Sequence, residues 1–110
     1  MMTTVDYNKK YLDQLKKIVL SQIDTKKIMV FLFGSRACGQ HASRSDVDIG
    51  LLCHGKLPPH LFHKIRNAVD DSMIPWKVDI IDFTRAAQSF KKSALKDIIV
   101  WNKPDSIKIN

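Results

Sequence analysis

Leu12, Leu15, Val19 and Ile23 recur at three- and four-residue steps with lysines between them, which predicts an amphipathic helix over residues 6–23. The pattern then changes. "IMVFLF" (28–33) is a short run of bulky apolar residues ending at Gly34, the signature of a strand covered on both faces. "GSRACGQHASRS" is polar and glycine-bearing, so it reads as a loop, with one helical turn possible from Ser35. "VDIGLLC" (47–53) predicts a second strand, broken by "HGKLPP". Leu61, Ile65, Ala68 and Val69 form the next helical stripe, over 59–72, and Pro58 and Pro59 suit its entry. "PWKVDIID" (75–82) predicts a third strand. Thr84 is a candidate cap for a last helix over about 85–100, with Ala87, Phe90, Ala94, Leu95 and Ile98 on its apolar side. The tail "NKPDSIKIN" is expected to add a short edge strand or to fray. The order helix, strand, strand, helix, strand, helix predicts an α/β (α+β) fold with a small mixed sheet flanked by helices.

Composition narrows the class. With 110 residues, 45% of them hydrophobic, the chain is sized for a single domain, residues 1–110, with one core. Its apolar runs are strand-length, far short of a bilayer span, and "MMTTVDYNKKYLDQLKK" lacks the continuous apolar segment of a signal peptide. Two cysteines, Cys38 and Cys53, make no disulfide framework, so a cytoplasmic location is expected. The net charge of +7, from 18 basic and 11 acidic residues, favours anionic company. The lysines are spread over the helices, however, and a solvated helix face accounts for most of them.

The chemistry concentrates around the second strand. Asp46 and Asp48 share a parity, so both carboxylates project to one face. Asp79 lies within "KVDII", between Val78 and Ile80, which point the other way. If the two strands are neighbours, three carboxylates meet. Unpaired, they repel and raise one another's pKa values, and a hard cation such as Mg²⁺ removes the conflict. Gly34, directly after a strand, lets the backbone bend close to a ligand. Ser35 adds a hydroxyl and an N–H, and a helical turn starting there aims further N–H groups at an anion. A phosphate cradle beside a carboxylate cluster is suited to a metal-bound polyphosphate.

"GS", ten residues, then Asp-Val-Asp, with a third aspartate in "VDIID", resembles the signature of the nucleotidyltransferase superfamily that includes DNA polymerase β. The short chain and "IPWKVDIIDF" resemble its minimal branch, found as antitoxins paired with HEPN-domain toxins. The likeness spans nearly the whole chain and implies the polymerase β-like nucleotidyltransferase fold. It places Gly34 and Ser35 on the nucleotide phosphates; Arg36, next along, is a candidate to reach a phosphate and equally a residue that solvates the loop. It makes Asp46, Asp48 and Asp79 the catalytic carboxylates and the ligands of two Mg²⁺ ions. Asp82 is the rival for the third position. Its parity is opposite to that of Asp79, and a turn or cap role suits it better. The resemblance further implies ATP as donor and a tyrosine hydroxyl of a HEPN-domain toxin as acceptor of AMP. Two alternatives stay open: a non-catalytic nucleotide-binding subunit that neutralises its partner by covering it, and transfer to RNA or to a small hydroxylated compound. No RNA-binding motif is present, so direct nucleic-acid binding is not expected.

Other motifs carry less. "CGQH", "CH" and "HLFH" tempt a zinc assignment, but their spacing is irregular. Cys53 reads as a small apolar residue at a strand end. Trp76, after a proline at a strand start, and Trp101, at the end of the last helix, read as core or interface aromatics.

Overall fold

The chain described by the computed structural model comprises residues 4–34, 46–85, 92 and 96–107. Its elements are α1 (Thr4–Ser21), β1 (Met29–Phe33), β2 (Val47–Leu52), α2 (Leu61–Asp70), β3 (Val78–Asp82) and β4 (Ile99–Asn102). The strands form one mixed sheet in the order β3-β2-β1-β4. β1 is antiparallel to both β2 and β4, whereas β2 and β3 run parallel. A parallel neighbour requires a crossover, and α2 supplies it. No helix among the described residues is long and apolar enough to cross a membrane.

Alternation along the strands divides the core into two layers. Val30 and Leu32 of β1, Val47, Ile49 and Leu51 of β2, and Val78 of β3 face the helices, where Leu15 and Val19 of α1 and Ile65 and Val69 of α2 meet them. Met29 and Phe31 face the other way and pack with Phe83 and Ile107. Every residue of β1 from Met29 to Leu32 is therefore buried, which explains its unbroken apolar sequence.

Gly50 marks a close approach on the second layer. It stands opposite Phe31 in the β1–β2 register, and a Cβ at residue 50 would run into the Phe31 ring. The bare backbone lets that ring lie across the strand and reach Phe83, centroid to centroid 5.0 Å, edge to face.

The C-terminal part departs from the expected helix over 85–100. Residues 86–91 and 93–95, with Ala87, Phe90, Ala94 and Leu95, lie outside the described ones, and Lys92 is helical. Ile99 and Val100 instead begin β4. Ile98, Ile99 and Val100 are consecutive β-branched residues, stiff at χ1 and better suited to a pleated strand than to a helix end. Trp101 consequently sits on a strand and packs against the helix-side core. The Asn102 amide holds this strand in place by donating to the Thr25 and Ile28 carbonyls at 2.8 and 2.7 Å, bridging β4 to the turn before β1. The third strand is also shorter than expected. Trp76 precedes it, half-buried and edge-on to Tyr11 at 5.7 Å.

Gly50→Ala is expected to lower the stability to urea by about 1–3 kcal/mol, the usual range for overpacking. Phe31→Leu in the same chain should recover part of that loss, because the smaller side chain vacates the space the added methyl needs.

Candidate active site

β1 ends at Phe33, which stands opposite Asp48 in the antiparallel register. The next residue, Gly34, has φ +76°, a conformation that glycine adopts without steric cost. Space demands glycine here as well. A Cβ on residue 34 would overlap Asp48 Oδ2 and lie 3.4 Å from Asp48 Cγ. The turn after β1 thus closes directly onto the Asp48 carboxylate.

Asp79 is the parallel-register partner of Asp48. Paired residues in neighbouring strands project to the same side, so the two carboxylates share one face. That face is opposite the helices, since Val47 and Ile49 flank Asp48 and both belong to the helix-side core. Asp46 immediately precedes β2 and is exposed. Asp82 pairs with Leu51, three residues along from Asp79 and out of its parity. Its Oδ1 accepts the Thr84 backbone N–H at 2.8 Å, closing the turn after β3 as the sequence suggested. Ser35 and Arg36 lie outside the described residues.

Burial raises the Asp48 pKa above its ordinary 3.8, and the charges of Asp79 and then Asp46 push it further the same way. The carboxylate stands between like charges on one side and the Phe33 strand on the other. Among the described residues, no three His, Cys, Asp or Glu side chains are gathered into a ready-made metal cage. That includes Cys53, His54, His60 and His63. Mg²⁺ seldom uses such a cage: it keeps several waters and takes one or two carboxylates together with substrate phosphates. The Asp48–Asp79 pair fits that donor set with its hard oxygens. Cys53 packs at the end of β2, and its N–H donates to Thr84 Oγ1 at 3.3 Å. His54 Nε2–H donates to the Ser106 carbonyl at 2.6 Å.

Two features of the site escaped the reading of the sequence. Gly34 makes room for a carboxylate of its own chain, not only for a ligand. Phe31, Phe33 and Phe83 form a cluster on the same face, with Phe33 and Phe83 edge to face at 4.9 Å. A glycine inside "DIGLL" was the signal for the second, since a glycine within a strand marks a close approach.

The family model of the polymerase beta nucleotidyltransferase domain matches residues 9–106. The probable protein adenylyltransferase MntA of Haemophilus influenzae is 27% identical over 84 residues, which span 76% of this chain and 73% of that protein. Among solved structures, a toxin–antitoxin crystal structure with AMP-PNP has a chain that superimposes with TM-score 0.61 at 22% identity, covering 86% of this chain and 74% of that one. The complex of tri-AMPylated Shewanella oneidensis HEPN toxin with MNT antitoxin gives TM-score 0.57 at 20% identity, covering 89% and 74%. At those identities the structural likeness speaks for the fold.

An acid whose pKa is raised in the folded state binds its proton more tightly there than when unfolded. Stability therefore falls as pH rises from 3.8 through the raised pKa, and the cost persists above it. In metal-free buffer, Asp48→Asn should show a higher Tm than the parent chain at neutral pH. The gap should close as the pH is lowered through the carboxylate range, as followed by circular dichroism melts.

Proposed function

The chain belongs to the polymerase beta nucleotidyltransferase family, and on that premise we propose that it transfers AMP from ATP to a tyrosine hydroxyl of a HEPN-domain partner, acting as an antitoxin. The observation that carries the reading is the register pairing of Asp48 with Asp79, with the turn at Gly34 closed against Asp48. Like charges set side by side in a partly buried position are unfavourable for the free protein, and a cation bound between them relieves that repulsion. The similarity to a protein named an adenylyltransferase and to toxin–antitoxin complexes supports the choice of donor and partner.

In this reading Asp46, Asp48 and Asp79 would hold two Mg²⁺ ions. The ions, when bound, neutralise phosphate charge and make the acceptor hydroxyl more acidic. The residues do the rest by position. The backbone at Gly34 and Ser35, with the Ser35 hydroxyl and Arg36, would hold the triphosphate, and its α-phosphorus is the atom attacked. The acceptor oxygen attacks in line and its O–P bond forms. The bond between the α-phosphorus and the bridging oxygen breaks, and pyrophosphate leaves. The acceptor proton passes to the Asp79 carboxylate. AMP on the toxin adds bulk and negative charge to a surface that acts on RNA, which silences it.

The test is label transfer from α-phosphate-labelled ATP with Mg²⁺ to a purified HEPN-domain protein and, side by side, to proteins of a host-cell lysate depleted of small molecules. Asp46→Asn, Asp48→Asn and Asp79→Asn should each lower the rate about 10²-fold or more, the usual loss when one charge-stabilising group is removed from a transfer site. Asp82→Asn should stay within about twofold, since an amide oxygen still accepts the Thr84 N–H. Transfer that survives Asp79→Asn but not Asp82→Asn would reassign the third carboxylate. ATP binding without any transfer would make the chain a nucleotide-binding neutraliser.

A further inference from the structure

The strand that carries Asp79 is also an edge. Among the described residues β3 is the last strand on its side of the sheet, paired with β2 along one edge only. Its outer edge is able to accept a further strand.

Each face of that edge offers something to such a strand. On the active-site face, Ile81 lies two residues beyond Asp79 and is 39% exposed, an apolar contact directly beside the carboxylates. On the helix face, Ile80 floors a groove of about 230 Å³ walled by Phe62, His63 and Arg66 of α2. Sites that enclose a drug-sized ligand run to about 300–1,000 Å³. This groove takes one side chain rather than a nucleotide. Arg66 is half-buried and His63 exposed, so a guanidinium and an imidazole rim an apolar floor. A carboxylate on a short methylene stem matches both parts, its methylenes against Phe62 and Ile80 and its oxygens on the guanidinium.

We propose that the acceptor segment of the protein partner docks as an added strand along β3, with its hydroxyl residue on the Asp79–Ile81 face and the adjacent acidic residue in the Phe62–Arg66 groove. Strand alternation makes the two halves one statement. A residue opposite Asp79 points to the active-site face, and its immediate neighbour, opposite Ile80, points to the helix face. Main-chain pairing supplies affinity, and the alternate pockets supply choice, as in other strand additions. The assignment rests on the reading that a protein hydroxyl is the acceptor, and it adds a sequence rule for it: tyrosine next to Asp or Glu.

The test uses the full chain and two fluorescein-labelled extended peptides, identical except that the residues flanking a central tyrosine are Glu in one and Lys in the other. Anisotropy measures binding, and AMP transfer to the cognate partner is measured separately. The parent chain should bind the Glu peptide about tenfold more tightly, the worth of one well-placed charge-assisted pair. Arg66→Gln should abolish the preference, Arg66→Glu should reverse it, and Ile81→Ser should weaken both peptides alike. Melting curves check that each variant folds. Equal binding of the two peptides, binding of neither, or a preference that survives Arg66→Glu would overturn the docking. If the preference holds but no transfer occurs to any acceptor, the transfer reading fails and the docking stands. If transfer proceeds with no preference, the docking alone fails.

Discussion

Parallel pairing of β2 with β3 sets Asp48 beside Asp79, and the rest of the site is arranged around that unfavourable contact. Two carboxylates in register on one face repel, and the Asp48 pKa rises in response, with burial the larger cause. Nothing in local sequence preference favours such an arrangement, since Asp is a poor strand former. It persists because the strands are held by other means. Val47, Ile49 and Leu51 on one strand and Val78 on the other are buried against the helices, and slipping either strand by one residue would expose that whole apolar set. Packing on one face thus enforces charge crowding on the other.

The two layers of the core divide the labour. The helix side, with α1 and α2, provides most of the apolar burial and fixes the register. On the opposite side the buried apolar residues among the described ones are Met29, Phe31, Phe83 and Ile107. Gly50 lets Phe31 lie flat against the sheet there, and Gly34 lets the chain turn over the Asp48 carboxylate. Both glycines remove a Cβ where something else must pass. An aromatic layer beside partly buried carboxylates lowers the local dielectric, which strengthens both the repulsion in the free protein and the attraction to a bound cation.

Sheet order adds a functional consequence. Among the described residues β3, joined to β2 through the α2 crossover, lies at the margin of the sheet with Asp79 on it. A chain of this length builds no second layer beyond that margin among its described residues.

Much of this was legible in the sequence. Leu15 and Val19, and Leu61, Ile65 and Val69, announced their helices by period, because one buried stripe on a helix leaves a 3.6-residue trace. The continuous apolar run of β1 announced a strand covered on both faces. Parity in "DVDIGLL" put Asp46 and Asp48 on one side of their strand, and parity in "KVDIID" set Asp82 apart from Asp79, since alternation is a property of the strand itself. The end of the last helix was misread, because "IIVWN" satisfies a helical count as well as a strand and only pairing with β1 decides between them. The sequence by itself determined which aspartates are candidates for the chemistry and how they alternate along each strand. The tertiary structure decided that β2 and β3 are neighbours, that Asp79 rather than another residue meets Asp48, and that β3 is an edge. Those are facts of pairing between segments distant along the chain, and no local pattern of side chains encodes which partner a strand will find.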